Sequence, residues 1–119
     1  GDHAAFIAKD LLEFKKSIKK EILEKLQEMN DFSLTVLDES CLALFKEDYY
    51  QAEKTIKKIE QITKFEKKIK DASKSIKGDE EMYRVRRLAE NIRRISEYAS
   101  DIAEIVLNMN IEKTLTKTE

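Results

Sequence analysis

Apolar residues recur along this chain at alternating steps of three and four, the spacing that gathers them on one face of an α-helix. The pattern is cleanest toward the C-terminus, where Val85, Leu88, Ile92, Ile95, Ala99, Ile102, Val106 and Met109 form an unbroken stripe. It predicts one long helix over 79–110, with Ile95 at the middle of its buried face. Asp79, Glu80 and Glu81 stand at its start, where carboxylates favour the positive end of the helix dipole. Gly78 just before them reads as the terminator of the preceding helix. After Asn110 the apolar repeat stops, so 111–119 reads as a flexible tail.

A second stripe runs through Ala52, Ile56, Ile59, Ile62, Phe65, Ile69, Ala72 and Ile76, with tight three-residue steps around Ile62. Asp48 and Gln51 have the spacing of a capping box, which places this helix at 48–77. A link of one or two residues at Gly78 makes the two helices antiparallel neighbours. Upstream, Leu23, Leu26, Met29, Ser33, Val36, Ser40 and Ala43 form a third seam, widened by Leu34, Leu37, Cys41 and Leu44. Asp31 is a capping residue type, but the seam runs through Asn30–Ser33 without a break and predicts one helix over 18–46. Ala4, Ile7, Ala8, Leu11, Leu12 and Ile18 also keep helical spacing, and dense charge at Lys15–Lys19 sets them apart.

Three helices of about 30 residues reach roughly 45 Å each at 1.5 Å per residue. The expected fold is therefore all-α, an elongated antiparallel three-helix bundle over 18–110. Residues 1–17 read as the terminal part of a preceding helix. Composition agrees: among 119 residues there is no Pro, no Trp and just two Gly, too few turn formers for a sheet protein. No window of about 18 apolar residues offers a membrane span, and no apolar leader is visible at the N-terminus; a cytoplasmic chain is expected. The formal net charge is −1, so there is no global attraction to nucleic acid or anionic membrane. The second helix carries ten lysines against six acids over 46–77. From Lys54 to Lys77 the sole aromatic residue is Phe65, which belongs to the apolar stripe, and the next helix is acidic, so the stretch reads as a solvated, ion-paired surface.

Little in the chain points to catalysis. His3 is the sole histidine, and a di-iron carboxylate site would need two Glu-x-x-His elements. Cys41 has no histidine near it in sequence and reads as a small core residue. There is no Gly-rich phosphate loop, Cys-x-x-Cys pair or Gly-x-Ser-x-Gly elbow, so the chain reads as non-enzymatic.

The most informative string is Ile92-Arg93-Arg94-Ile95-Ser96-Glu97-Tyr98-Ala99-Ser100-Asp101-Ile102-Ala103-Glu104. It resembles the helical signature of the PhoU family of phosphate-signalling regulators, which reads roughly Leu-Glu-Arg-Ile-Gly-Asp-His-Ala-x-Asn-Ile-Ala-Glu. Gly1–Lys9 resembles the second part of the same signature, and three of its nine residues are identical to Ser96–Glu104. Ala43-Leu44-Phe45-Lys46-Glu47-Asp48 also looks like the family's turn between first and second helices.

The resemblance implies a regulatory helical module, the second three-helix repeat of a longer, archaeal-type protein. Residues 1–17 would then end an earlier repeat. It implies action through protein partners: a sensor kinase, a phosphate transporter, an attached domain or a second copy. In several family members carboxylates one turn apart on the third helix bind metal. Glu97 and Asp101 keep that spacing here, Glu90 and Glu104 extend the row, and Glu60 supplies a candidate from the second helix. Iron, zinc or another divalent ion would be the cofactor, and Asp2 a further ligand from the preceding helix. Arg93, however, replaces the family's leading glutamate, and Thr63 stands where a second acid is often found. Arg93 lies four residues from Glu97, so an ion pair is expected there ahead of a metal. A metal-carboxylate protein and a plain helical dimerisation module are the alternatives.

Overall fold

The computed structural model describes residues 19–118. They form three antiparallel rods, the second of them broken: α1 (Lys20–Lys46), α2 (Tyr49–Ile59), α3 (Ile62–Ala72) with a 3₁₀ turn at Ser73–Ser75, and α4 (Asp79–Thr118). The particle measures 62 × 28 × 18 Å, and α4 sets its length. The all-α, elongated bundle is as the periodicity predicts, and α1 passes through Asn30–Ser33 unbroken. The upstream segment expected at 1–17 lies outside the described residues.

Each turn has a local cause. α1 ends with Glu47 in the left-handed region (φ 52°, ψ 41°), the one positive φ among the described residues. The Asp48 N–H then donates to the Ala43 carbonyl at 2.8 Å and the Glu47 N–H to the Leu44 carbonyl at 3.2 Å, which satisfies two orphan carbonyls. Asp48 immediately caps α2 by accepting the Gln51 N–H at 3.0 Å. The reciprocal half of the capping box is spent elsewhere: the Gln51 amide donates to the Thr55 hydroxyl at 3.0 Å.

At the opposite end the Ser73 hydroxyl donates to the Ile69 carbonyl at 2.6 Å, the helix tightens to 3₁₀, and Ile76 is extended (ψ 123°). Gly78 is therefore not the αL terminator the sequence suggested; its φ is not positive, and a Cβ there would meet nothing within 4 Å. Gly78→Ala is accordingly expected to raise stability by about 0.4–1 kcal/mol, because it restricts the unfolded chain without straining the native turn. A thermal melt that moved downward would contradict this. At the far end, α4 continues past Asn110 to Thr118. Residues 111–118 contain neither Gly nor Pro, so nothing in them halts helix propagation.

The second rod breaks at Glu60–Gln61. The Gln61 N–H donates to the Lys58 carbonyl and the Lys64 N–H to the Gln61 carbonyl, both at 3.0 Å, so the helix is locally wound to three residues per turn. The side chains explain it. Three-residue steps drift off the face of a 3.6-residue helix, and tightening the turn keeps both Ile59 and Ile62 buried. The break also re-aims the rod. α2 packs on both α1 and α4, whereas α3 leans on α1 and barely meets α4.

The core tapers along the bundle. Around α3 it is bulky: Ile22, Leu26, Met29, Ile62, Ile69, Val85, Leu88 and Ile92, with Phe32 stacked on Phe65 at 4.8 Å between centroids. Toward the α1–α2 turn it thins to Ala43, Ala52, Ala103 and Val106. Between them α1 presents Ser33, Val36 and Ser40, and α4 presents Ser96 and Ala99, all buried. The Ser33 and Ser40 hydroxyls have no hydrogen-bond partner, so size rather than bonding explains their place there. This corrects the predicted stripe of α4. Ser96 and Ala103 take the central positions, and Ile95 and Ile102 are half-buried beside them. On α1 Ile22 is buried in place of Leu23, and Cys41 is exposed rather than a core residue.

Candidate functional site

The carboxylates singled out in sequence lie on the surface of α4 and at the break of the second rod. Glu97 meets the Arg93 Nε at 3.4 Å, the expected pair one helical turn apart. Arg93 also donates from Nη1 to the Glu66 Oε2 of α3 at 3.3 Å. The guanidinium thus ties α4 to α3 at a level where the two otherwise hardly touch. Its planar fork suits two carboxylates at once. Asp101, Glu60 and Glu104 are exposed, and the Thr63 hydroxyl donates back to the Glu60 carbonyl at 3.2 Å. Among the described residues no group of three or more His, Cys, Asp or Glu is placed to hold a metal ion. Glu60, Glu97 and Asp101 form no such group, and the Arg93 guanidinium holds the Glu97 carboxylate. Asp2 and His3 lie outside the described residues.

Two other features distinguish the surface. The first is a groove of about 890 Å³ between α3 and the start of α4. Its floor is apolar, formed by Ile69, Met82, Val85 and Ala89. Its rims are charged: Lys67, Lys70, Asp71 and Lys74 on one side, Arg86, Glu90 and Arg93 on the other, with Glu66 facing Arg93. The groove exists because the rod breaks at Glu60–Gln61 and α3 swings away from α4. The run of three-residue steps through Ile56, Ile59, Ile62 and Phe65 was its signal in the sequence.

The second is an apolar end. Phe45 is 90% exposed and Tyr50 81% exposed, flanking the tight α1–α2 turn. Leu42 nearby is 50% exposed, and Ile105 and Ile111 on α4 are 50% and 53% exposed. Ala43, Ala103 and Val106 pack together in the core at this level, so these exposed residues share one end of the bundle. Aromatic residues with no cover at a rigid turn are what a docking surface needs. They are large, amphipathic and cost little entropy to fix. A side chain pattern could have flagged Phe45, since it falls off the seam of α1 and before a capped turn. Among the described residues no helix is long and apolar enough to cross a membrane.

Comparison with known proteins agrees with this architecture. The family model of the PhoU domain matches residues 26–106, which takes in most of α1, all of α2 and α3, and α4 as far as Val106. No curated protein and no solved structure gives a significant match.

Proposed function

The chain belongs to the PhoU domain family, and from that premise we propose that it is a non-enzymatic module regulating phosphate uptake or phosphate signalling in the cytoplasm through protein contacts. The observation that carries the reading is the family match across all three rods. The exposed end at Phe45 and Tyr50 supports the mode of action, because it offers a partner a rigid aromatic surface. A sensor kinase, a phosphate transporter or a domain of the same polypeptide would dock there. Regulation by docking needs no reacting group. It requires that the partner's two states differ in their affinity for this surface.

The test is genetic. Removing the gene is expected to derepress phosphate-uptake genes in phosphate-replete cells, and a Phe45→Glu/Tyr50→Glu allele to reproduce much of that effect at normal protein levels. Unchanged repression in the deletion strain would overturn the phosphate role. Repression lost in the deletion but intact in the double variant would move the docking surface away from this end.

A further inference from the structure

α1 and α4 run parallel and in step. Ile22 shares a buried cluster with Val85, Met29 with Ile92, Val36 with Ala99 and Ala43 with Val106, each pair 63 residues apart. The broken second rod covers one flank of this helix pair. Phe32 stacks on Phe65, the Lys58 ammonium donates to Glu39 at 2.8 Å, and Arg93 reaches Glu66. Each residue turns a helix by about 100°. Leu34, Leu37, Cys41 and Leu44 therefore lie on the flank of α1 away from Phe32 and Glu39, and Ile95, Tyr98 and Ile102 on the flank of α4 away from Arg93. Leu34, Cys41, Leu44 and Tyr98 are exposed there, and Leu37, Ile95 and Ile102 half-buried. Both sets step by three and four, so two apolar seams stand side by side on the face opposite the second rod.

Charge indicates what fits this face. Along the outer edge of the α1 seam Glu24, Asp31 and Asp38 recur every seven residues, and along that of the α4 seam Arg87, Arg94 and Asp101 do the same. The other charges of the two edges are Lys20 at the start of α1 and the Glu80–Arg84 pair at the start of α4. The α1 edge is thus net acidic and the α4 edge net basic. We propose that a second copy of this chain covers the face, related by a two-fold axis along the bundle, so that α1 of each copy lies parallel to α4 of the other. The common register then sets Glu24 level with the partner's Arg87 and Asp31 level with the partner's Arg94, each contact made twice. Asp38 alone meets a like charge, the partner's Asp101. A two-fold axis across the rods would instead stack α1 on α1 and α4 on α4, acidic edge on acidic and basic on basic, and such juxtaposition selects against that pairing. The parallel arrangement also brings both Phe45 and Tyr50 ends to the same end of the dimer, where a partner meets two docking surfaces at once.

Sedimentation velocity of the full chain over a concentration series tests this. The parent is expected to reach twice its 13.9 kDa. Leu34→Glu/Tyr98→Glu is expected to stay at the monomer mass with unchanged helical circular dichroism, because both side chains are exposed. Phe45→Glu/Tyr50→Glu, at the end of the bundle, is expected to dimerise like the parent. Arg94→Asp and Asp31→Arg should each raise the dimer dissociation constant severalfold, and the two changes together should bring it back. A parent that is monomeric throughout would overturn the proposal. So would a dimer that survives Leu34→Glu/Tyr98→Glu, or one lost in Phe45→Glu/Tyr50→Glu. Charge reversals whose effects add instead of cancelling would overturn the parallel two-fold pairing.

Discussion

Ile92→Asp is expected to unfold this bundle, while Ile95→Asp, three residues along the same helix, leaves it folded. Ile92 is 2% exposed and packs within the bulky cluster of Ile22, Leu26, Met29, Ile62 and Leu88. A carboxylate placed there has no described partner in that cluster and loses its hydration. The cost is several kcal/mol, comparable with the roughly 5–15 kcal/mol that holds a small domain together. Ile95 is only half-buried, so a carboxylate there can stay solvated. Thermal melts followed by far-UV circular dichroism separate the two. Equal loss of structure in both variants would mean that the buried line of α4 has been misplaced by one residue. Retention of the parent melting temperature by Ile92→Asp would remove the bulky cluster from the stabilising core.

Ala103→Leu should be the most damaging enlargement. Ala43, Ala52 and Ala103 come from the three separate rods and are each no more than 1% exposed, so the rods meet here through methyl groups, with Val106 beside them. An isobutyl branch has no void to enter and must push a rod outward. Overpacking of this kind costs about 1–3 kcal/mol. In a domain of this size each kcal/mol lowers the melting temperature by roughly 4–8 °C. Ile105→Ala, on the exposed side of the same turn, is the matched control and should stay within about 0.5 kcal/mol. A melt unchanged by Ala103→Leu would show that the rods are free to separate here.

The groove and the ion pairs show where pattern reading reaches and where it stops. Arg93–Glu97 was legible because both residues lie on one helix, where a spacing of four fixes their neighbourhood whatever the rest of the chain does. Arg93–Glu66 was not, because it joins residues 27 apart on two rods whose relative level depends on the connection between them. The distance between the candidate ligands Glu60, Glu97 and Asp101 was not legible for the same reason. Spacing placed Glu97 one turn from Asp101, but nothing local states how close Glu60 on the second rod comes to them. The break at Glu60–Gln61 had a visible trace in the three-residue steps, yet its consequence, a rod swinging off α4, follows from how far a tilt carries over the next eleven residues.

The sequence by itself determined the three rods, their antiparallel order, the Asp48 cap and the seam of α1 from Leu26 to Ala43. All of these follow from interactions within about one helical turn: side-chain periodicity, a capping oxygen, a connection too short to cross the bundle. Tertiary structure decided which of two adjacent lines on α4 faces inward. Ile95 and Ser96 both fit a helical face, and hydrophobicity favours the isoleucine. The line with Ser96, Ala99 and Ala103 prevails because α1 meets it with Ser33, Ser40 and Ala43. Small side chains on both rods let the backbones approach and place the larger isoleucines alongside. That choice depends on the partner surface, and a single helix carries no record of it.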